Sequence, residues 1–241
     1  MMPEALLLDF DGTLVDWLGA LEAGVRAAAA QLGRRYGLDP DEVAARTLAF
    51  EAEVFESHAE GWNLGGIGAP ELHQAIWRRA LGEYGLDDQQ AEFLSAAQWQ
   101  AELAAYRAFD DVAAFLDAAA GAGIRLALVT NGPGGVQRAK LERIGLADAF
   151  HAVLISAEVG AAKPDTRIFD VALDAIGVDP DPALVWHIGD SLEFDIAGAR
   201  AAGVGSVWLN RDGVLHDPRH PRPDREITGL DELTQLLARA A

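Results

Sequence analysis

Two hydrophobic rhythms divide the chain. Ala5-Leu6-Leu7-Leu8 is a short continuous apolar run that stops at Asp9 and passes into the turn chemistry of Asp11-Gly12-Thr13. A fully apolar run of this length suits a strand covered on both faces, as in a parallel sheet. From about Asp16 to Tyr106 the rhythm changes. Leu, Ala, Val, Phe and Trp recur at three- and four-residue spacing among Glu, Arg and Gln, which predicts helices over 16–36, 40–59, 69–84 and 88–105. Nothing in that stretch has the period of a strand. Beyond it the two rhythms alternate. Helices are predicted over 110–120 (with Asp110 as N-cap), 134–144, 167–176, 194–201 and 231–239, and strands over 124–129, 152–155, 184–188 and 204–209. Pro218, Pro221 and Pro223 mark 211–225 as an exposed loop.

Repeated strand–helix units imply an α/β fold, a Rossmann-like doubly wound parallel sheet. The expected core is 1–15 plus 107–241, with an all-helical domain inserted over 16–106. In such sheets ligands bind outside the carboxyl ends of the strands, so the polar residues there carry the chemistry.

Charge and composition narrow the classes. The chain has 241 residues, with 19 Lys and Arg against 38 Asp and Glu, a formal charge of −19. Such a surface repels phosphate backbones and argues against nucleic acid as a partner. With no Cys, disulfides, thiolate metal sites and Cys nucleophiles are excluded. No apolar run reaches the roughly 18–20 residues of a membrane helix. The start MMPEALLLDF lacks a basic region, so the expectation is a soluble cytoplasmic protein, monomer or homodimer. Only Lys140 and Lys163 are lysines; the other basic residues are Arg.

Four strand ends stand out: Asp9-Phe10-Asp11-Gly12-Thr13, Thr130-Asn131-Gly132, Lys163-Pro164-Asp165 after the third strand, and Gly189-Asp190-Ser191 with Asp195 beyond. Each alone is ordinary turn or cap chemistry. Together they form a set. Converging carboxylates favour a hard cation, and oxygen-only ligation favours Mg²⁺. A hydroxyl, backbone N–H groups near Gly132 and one Lys suit an anion such as phosphate. One carboxylate can act as nucleophile and a second as general acid and base.

These four segments, in this order, resemble the four signatures of the haloacid dehalogenase superfamily, and the inserted helices resemble its type 1 cap. The resemblance spans the whole chain. It implies Asp9 as the nucleophile that takes a phosphoryl group and Asp11 as general acid and base. Thr130 and the backbone around Asn131 and Gly132 would hold phosphate oxygens, and Lys163 would steady the nucleophile and the transferring group. Mg²⁺ would lie between Asp9, the backbone carbonyl of Asp11, and Asp190, with Asp195 a further ligand or an acceptor for metal-bound water. Asp11 favours a phosphatase acting on a small-molecule phosphomonoester over a 2-haloacid dehalogenase, because a halide leaves without needing a proton. A phosphomutase and a non-catalytic small-molecule-binding relative remain as alternatives. Within the superfamily the chain looks closest to the branch of N-acylneuraminate-9-phosphatase and nucleotide 5′-phosphatase, with phosphoglycolate phosphatases nearby. In the cap, His58, Trp62, Asn63, Arg78 and Arg79 are the notable polar and aromatic residues, and Trp17 is a candidate pocket residue. Trp62 has an alternative reading as packing between cap helices.

Overall fold

The computed structural model describes residues 3–177 and 184–238. Six parallel strands form one sheet: β1 (Ala5–Leu8), β2 (Arg125–Thr130), β3 (Ala152–Ile155), β4 (Val185–Gly189), β5 (Gly205–Leu209) and β6 (Arg225–Ile227), in the order β3-β2-β1-β4-β5-β6. β1 is central because it is wholly buried and lies between β2 and β4, pairing Leu8 with Leu128 on one side and Ile188 on the other. This is where strand order reverses, and it brings the carboxyl ends of β2, β1 and β4 side by side.

The chain divides into two compact units. The first comprises 1–15, 108–132 and 145–241, and the second 16–107 and 133–144. In the first unit one sheet face packs Leu7, Val129 and Val185 with Ile168, Phe169 and Ala172 of α8 (Thr166–Ala175) and Ala199 of α9 (Ala197–Ala201). α5 (Val112–Gly121) packs with α10 (Asp231–Ala238). A four-residue helix, α7 (Ser156–Val159), follows β3. Arg211, just past β5, ties three segments together. It spans both oxygens of Asp111, donates to Thr13 O at 2.9 Å, and lies 4.0 Å over the Phe109 ring.

The second unit holds α1 (Trp17–Tyr36), α2 (Pro40–Asn63), α3 (Ala69–Leu81), α4 (Asp88–Ala105) and α6 (Gly134–Ile144). Local chemistry explains the ends. Asp16, Asp39 and Asp87 each cap a helix by accepting a backbone N–H, Pro40 starts α2, and Gly37 closes α1 in the left-handed region at φ 70°. Trp77, Leu94, Val25 and Ala28 fill its core.

Several expectations need correction. α5 is capped at Asp111, not Asp110, and the Asp111 carboxylate is turned to Arg211 and to Leu230 N instead. The predicted helix over 194–201 begins with a π-helical turn, Leu192–Ile196, before α9. The loop 211–225 runs into β6. α6, expected with the sheet, groups with the helical unit. Arg143 donates to Ala104 O at 2.6 Å, and Lys140 lies 4.9 Å over the Tyr106 ring. The expected end of the last helix at Arg239 lies outside the described residues. No helix among the described residues is long and apolar enough to cross a membrane.

Candidate active site

Each strand end supplies one part of the site. β1 ends at Leu8, and the next residue, Asp9, is anchored by its backbone N–H to Ile188 O of β4 at 2.9 Å. Asp9 is buried, as are Lys163 and Asp195. The Lys163 ammonium bridges the two carboxylates, 2.6 Å from Asp9 Oδ1 and 2.6 Å from Asp195 Oδ1. Asp190, at the end of β4, completes a trio in which carboxylate oxygens of Asp9, Asp190 and Asp195 lie within 4.8 Å of one another.

Two glycines make this density possible. Gly12 has φ 84°, a conformation side chains avoid, and a Cβ there would overlap the Asp190 carboxylate. A Cβ on Gly189 would overlap Asp195. The π-helical turn aims Asp195 back at the strand end, where its Oδ2 accepts from Ser191 N at 3.0 Å. The Ser191 hydroxyl in turn accepts from Phe194 N. The Trp208 indole donates to Asp190 O at 2.8 Å, fixing the loop that carries Asp190.

Asn131 plays a part that its sequence neighbourhood did not disclose. Its side chain makes a two-way bond to the Lys163 backbone, accepting from N at 2.8 Å and donating to O at 3.0 Å. It therefore locates the lysine. Gly132 N donates to Ser156 Oγ at 2.9 Å, and Thr130 is buried with its Oγ1 3.4 Å from Asn131 O. Asp11 lies two residues past Asp9 in the turn that includes Gly12, and its carboxylate is not in the trio.

The electrostatics follow from burial. Desolvation pushes the Asp9 carboxyl up to about 6 against the pull of Lys163. Asp190 rises to about 8, again by desolvation, helped by repulsion from Asp9 and Asp195 and with less relief from Lys163. Desolvation works upward on Asp195 too, but Lys163 and the His187 imidazole outweigh it and hold this carboxyl well below its usual range. Lys163 is held above its ordinary range because the two carboxylates outweigh its own burial. One ammonium thus faces three carboxylates, and two of these are driven toward protonation. A divalent cation bound by oxygen donors fits that deficit, and the donor set (three carboxylates, with no Cys in the chain) suits Mg²⁺.

The helical unit's candidates have mostly local roles. Trp62 packs edge-on to Phe55, with ring centroids 6.3 Å apart, and Trp17 packs against the core around Trp77. Arg78 pairs with Asp88 and Arg79 with Glu53, so the two adjacent side chains diverge. His58 Nδ1 lies 2.8 Å from Val54 O. His187, Ser156 and Trp208 went unremarked in the sequence. For His187 there was a signal, a lone imidazole in the apolar strand leading into Gly189-Asp190.

Known proteins resemble this chain over nearly its whole length. The family description "haloacid dehalogenase-like hydrolase" matches residues 3–203. The phosphoserine phosphatase of Thermus thermophilus is 36% identical over 244 residues, covering 95% of this chain and 96% of the relative. Among solved structures, the magnesium-bound HAD-hydrolase YfnB of Bacillus subtilis superposes with a TM-score of 0.78 at 23% identity, covering 98% of this chain and 99% of the other. A 2-haloacid dehalogenase from Pseudomonas syringae pv. Tomato gives a TM-score of 0.68 at 28% identity, with 100% of each chain covered.

Proposed function

The chain belongs to the haloacid dehalogenase-like hydrolase family, and from that premise we propose that it is a Mg²⁺-dependent phosphatase of small-molecule phosphomonoesters, with Asp9 as its nucleophile. The observation that carries this reading is the Lys163 ammonium bridging Asp9 and Asp195 at 2.6 Å each, with Asp190 in the same cluster. A free, ionised Asp9 oxygen attacks phosphorus. An O–P bond forms on Asp9 as the ester P–O bond breaks, and Asp11 gives its proton to the departing alkoxide. Water then attacks the aspartyl-phosphate, Asp11 takes the proton, and inorganic phosphate leaves. Lys163 holds Asp9 in line and offsets charge on the transferring group. Thr130 Oγ1 and the Asn131 N–H are the donors for its other oxygens, and the Gly132 N–H, which donates to Ser156 Oγ, would have to exchange that acceptor to join them. Asp9, Asp190 and the Asp11 carbonyl would hold Mg²⁺, which supplies positive charge to the phosphoryl oxygens. Asp195 is better suited to orienting Lys163 and the Asp190 loop, since its oxygens already serve three donors.

One whole-length relative is named a phosphoserine phosphatase and another a ribulose-1,5-bisphosphate 5-phosphatase, so phosphoserine heads the substrate panel, followed by ribulose 1,5-bisphosphate, nucleoside monophosphates, sugar acid phosphates and phosphoglycolate. Phosphate release should require Mg²⁺ and stop with EDTA. Asp9→Asn should lose turnover at least ~1000-fold with an unchanged circular dichroism spectrum, since the assigned nucleophilic oxygen is replaced by a non-nucleophilic amide. Wild-type rates from Asp9→Asn would overturn the nucleophile. Metal-independent halide release from 2-chloropropionate would favour the dehalogenase reading, which the full-length likeness to a dehalogenase keeps as the second candidate.

A further inference from the structure

His187 is fully buried in the middle of β4, paired in register with Leu7 of β1 and Ser206 of β5. Nothing in the reaction uses it, yet an imidazole here displaces an apolar side chain from the centre of the sheet. Its Nε2 lies 2.8 Å from Asp195 Oδ1, the same oxygen that accepts from Lys163 Nζ at 2.6 Å. Its Nδ1 makes no hydrogen bond of ordinary geometry among the described residues, and the Leu7 backbone is the one other group there that acts weakly in favour of a ring proton. A proton on Nδ1 would be buried and unsatisfied, whereas a bare Nδ1 leaves only an unused lone pair. The arrangement therefore selects one form, neutral imidazole with its proton on Nε2, donating to Asp195. The ring is held in place. Phe169 meets it edge-on with centroids 5.1 Å apart, and both rings are fully buried.

We propose that His187 is a positioning residue of the catalytic centre, acting through Asp195 to set where the Lys163 ammonium stands between Asp195 and Asp9. Three donors converge on Asp195: His187 Nε2 and Lys163 Nζ on Oδ1, and Ser191 N on Oδ2. With the imidazole donor gone, Asp195 Oδ1 is left to Lys163 alone. The ammonium is drawn toward Asp195 and away from Asp9, and the nucleophile loses its alignment. Both things the ammonium does, aligning Asp9 and offsetting charge on the transferring group, count most in the transition state, so the effect falls on kcat and spares KM.

The inference rests on the phosphatase reading for its kinetics but not for its tautomer, and the experiment separates the two. Long-range ¹H–¹⁵N spectra of the wild-type protein at pH 7.5, with the His187 signals identified by their loss in His187→Leu, should show the neutral Nε2–H form. An Nδ1–H tautomer or an imidazolium would overturn the proposal whether or not any substrate is turned over. In steady-state assays His187→Leu should lower kcat about 10–100-fold, the range for partners that orient a ligand, with KM within about twofold. His187→Gln, which can present an amide N–H near the Nε2 position, should recover most of that loss. If His187→Leu folds and keeps wild-type kcat, or if Gln and Leu lose kcat equally in step with lowered melting temperatures, His187 is a core residue only. If the wild type shows the Nε2–H tautomer but no phosphate release from any panel member, the phosphatase reading fails and the hydrogen-bond assignment stands.

Discussion

Lys163 is enclosed by Asp9 and Asp195 with almost no access to water, so the three groups form one unit. Removing the cation strands two buried carboxylates against each other. Breaking a buried pair in this way costs roughly 3–5 kcal/mol, more than the cavity term of a similarly sized apolar replacement. Lys163→Met should therefore lower the urea-unfolding free energy at pH 7.5 by about that amount and abolish turnover. The loss should shrink near pH 5, because Asp9, pushed up to about 6 even with the ammonium beside it and higher without it, is then protonated in the variant and leaves a single charge. An equal loss at both pH values would contradict the assigned ion pair. Much of this was legible at the level of residue type. A scarce lysine beside a proline, and carboxylates at strand ends, announce an anion- and cation-binding centre. What the sequence did not disclose is orientation. Nothing local says that the Asn131 side chain grips the Lys163 backbone 32 positions away, or that a π-helical turn points Asp195 inward. Those depend on which strands become neighbours.

The elements of the helical unit stand largely on local chemistry, which is why periodicity located them well. α4 is an example. Asp87 accepts from Gln89 N and Gln90 N while Gln90 Oε1 accepts from Asp87 N, a reciprocal cap that satisfies the first turn. Asp87→Ala should lower stability by about 1 kcal/mol, read from urea unfolding, and leave kcat and KM unchanged; a fall in kcat would assign the start of α4 a role in turnover. The elements missed or misplaced have tertiary causes. β6 is only Arg-Glu-Ile, too short to show alternation, and exists because β5 offers it an edge. α7 spans four residues after β3 and has no period to read. The cap of α5 moved by one residue because the Asp111 carboxylate is held by Arg211, 100 positions away. α6 was correctly bounded by its glycine start and apolar spacing, but its allegiance was not visible. Lys140 and Arg143 reach Tyr106 and Ala104, and that packing decides its company.

At the scale of the molecule, the site's charge imbalance couples stability to pH and to the cation. Asp9 and Asp190 bind protons more tightly in the native chain than in the unfolded one, so each stabilises the fold at low pH and loses that contribution as pH rises through its native value, about 6 and about 8. His73 and His187 act oppositely. Burial holds both below the usual imidazole range, so their contribution grows as pH climbs toward about 6.5 and is complete above it. Asp195, held low, contributes fully throughout this range. Between pH 7 and about 8, Asp190 is therefore the shifted group that governs the slope. Metal-free protein should lose stability over that interval and level off above it, and Asp190→Asn should flatten the curve. Mg²⁺ competes with the Asp190 proton, so the rise in melting temperature on adding Mg²⁺ should be larger at pH 8 than at pH 6 and absent in Asp190→Asn. An equal Mg²⁺ shift in wild type and Asp190→Asn would mean that the cation stabilises the acidic surface at large, and Asp190 would lose its claim to the metal.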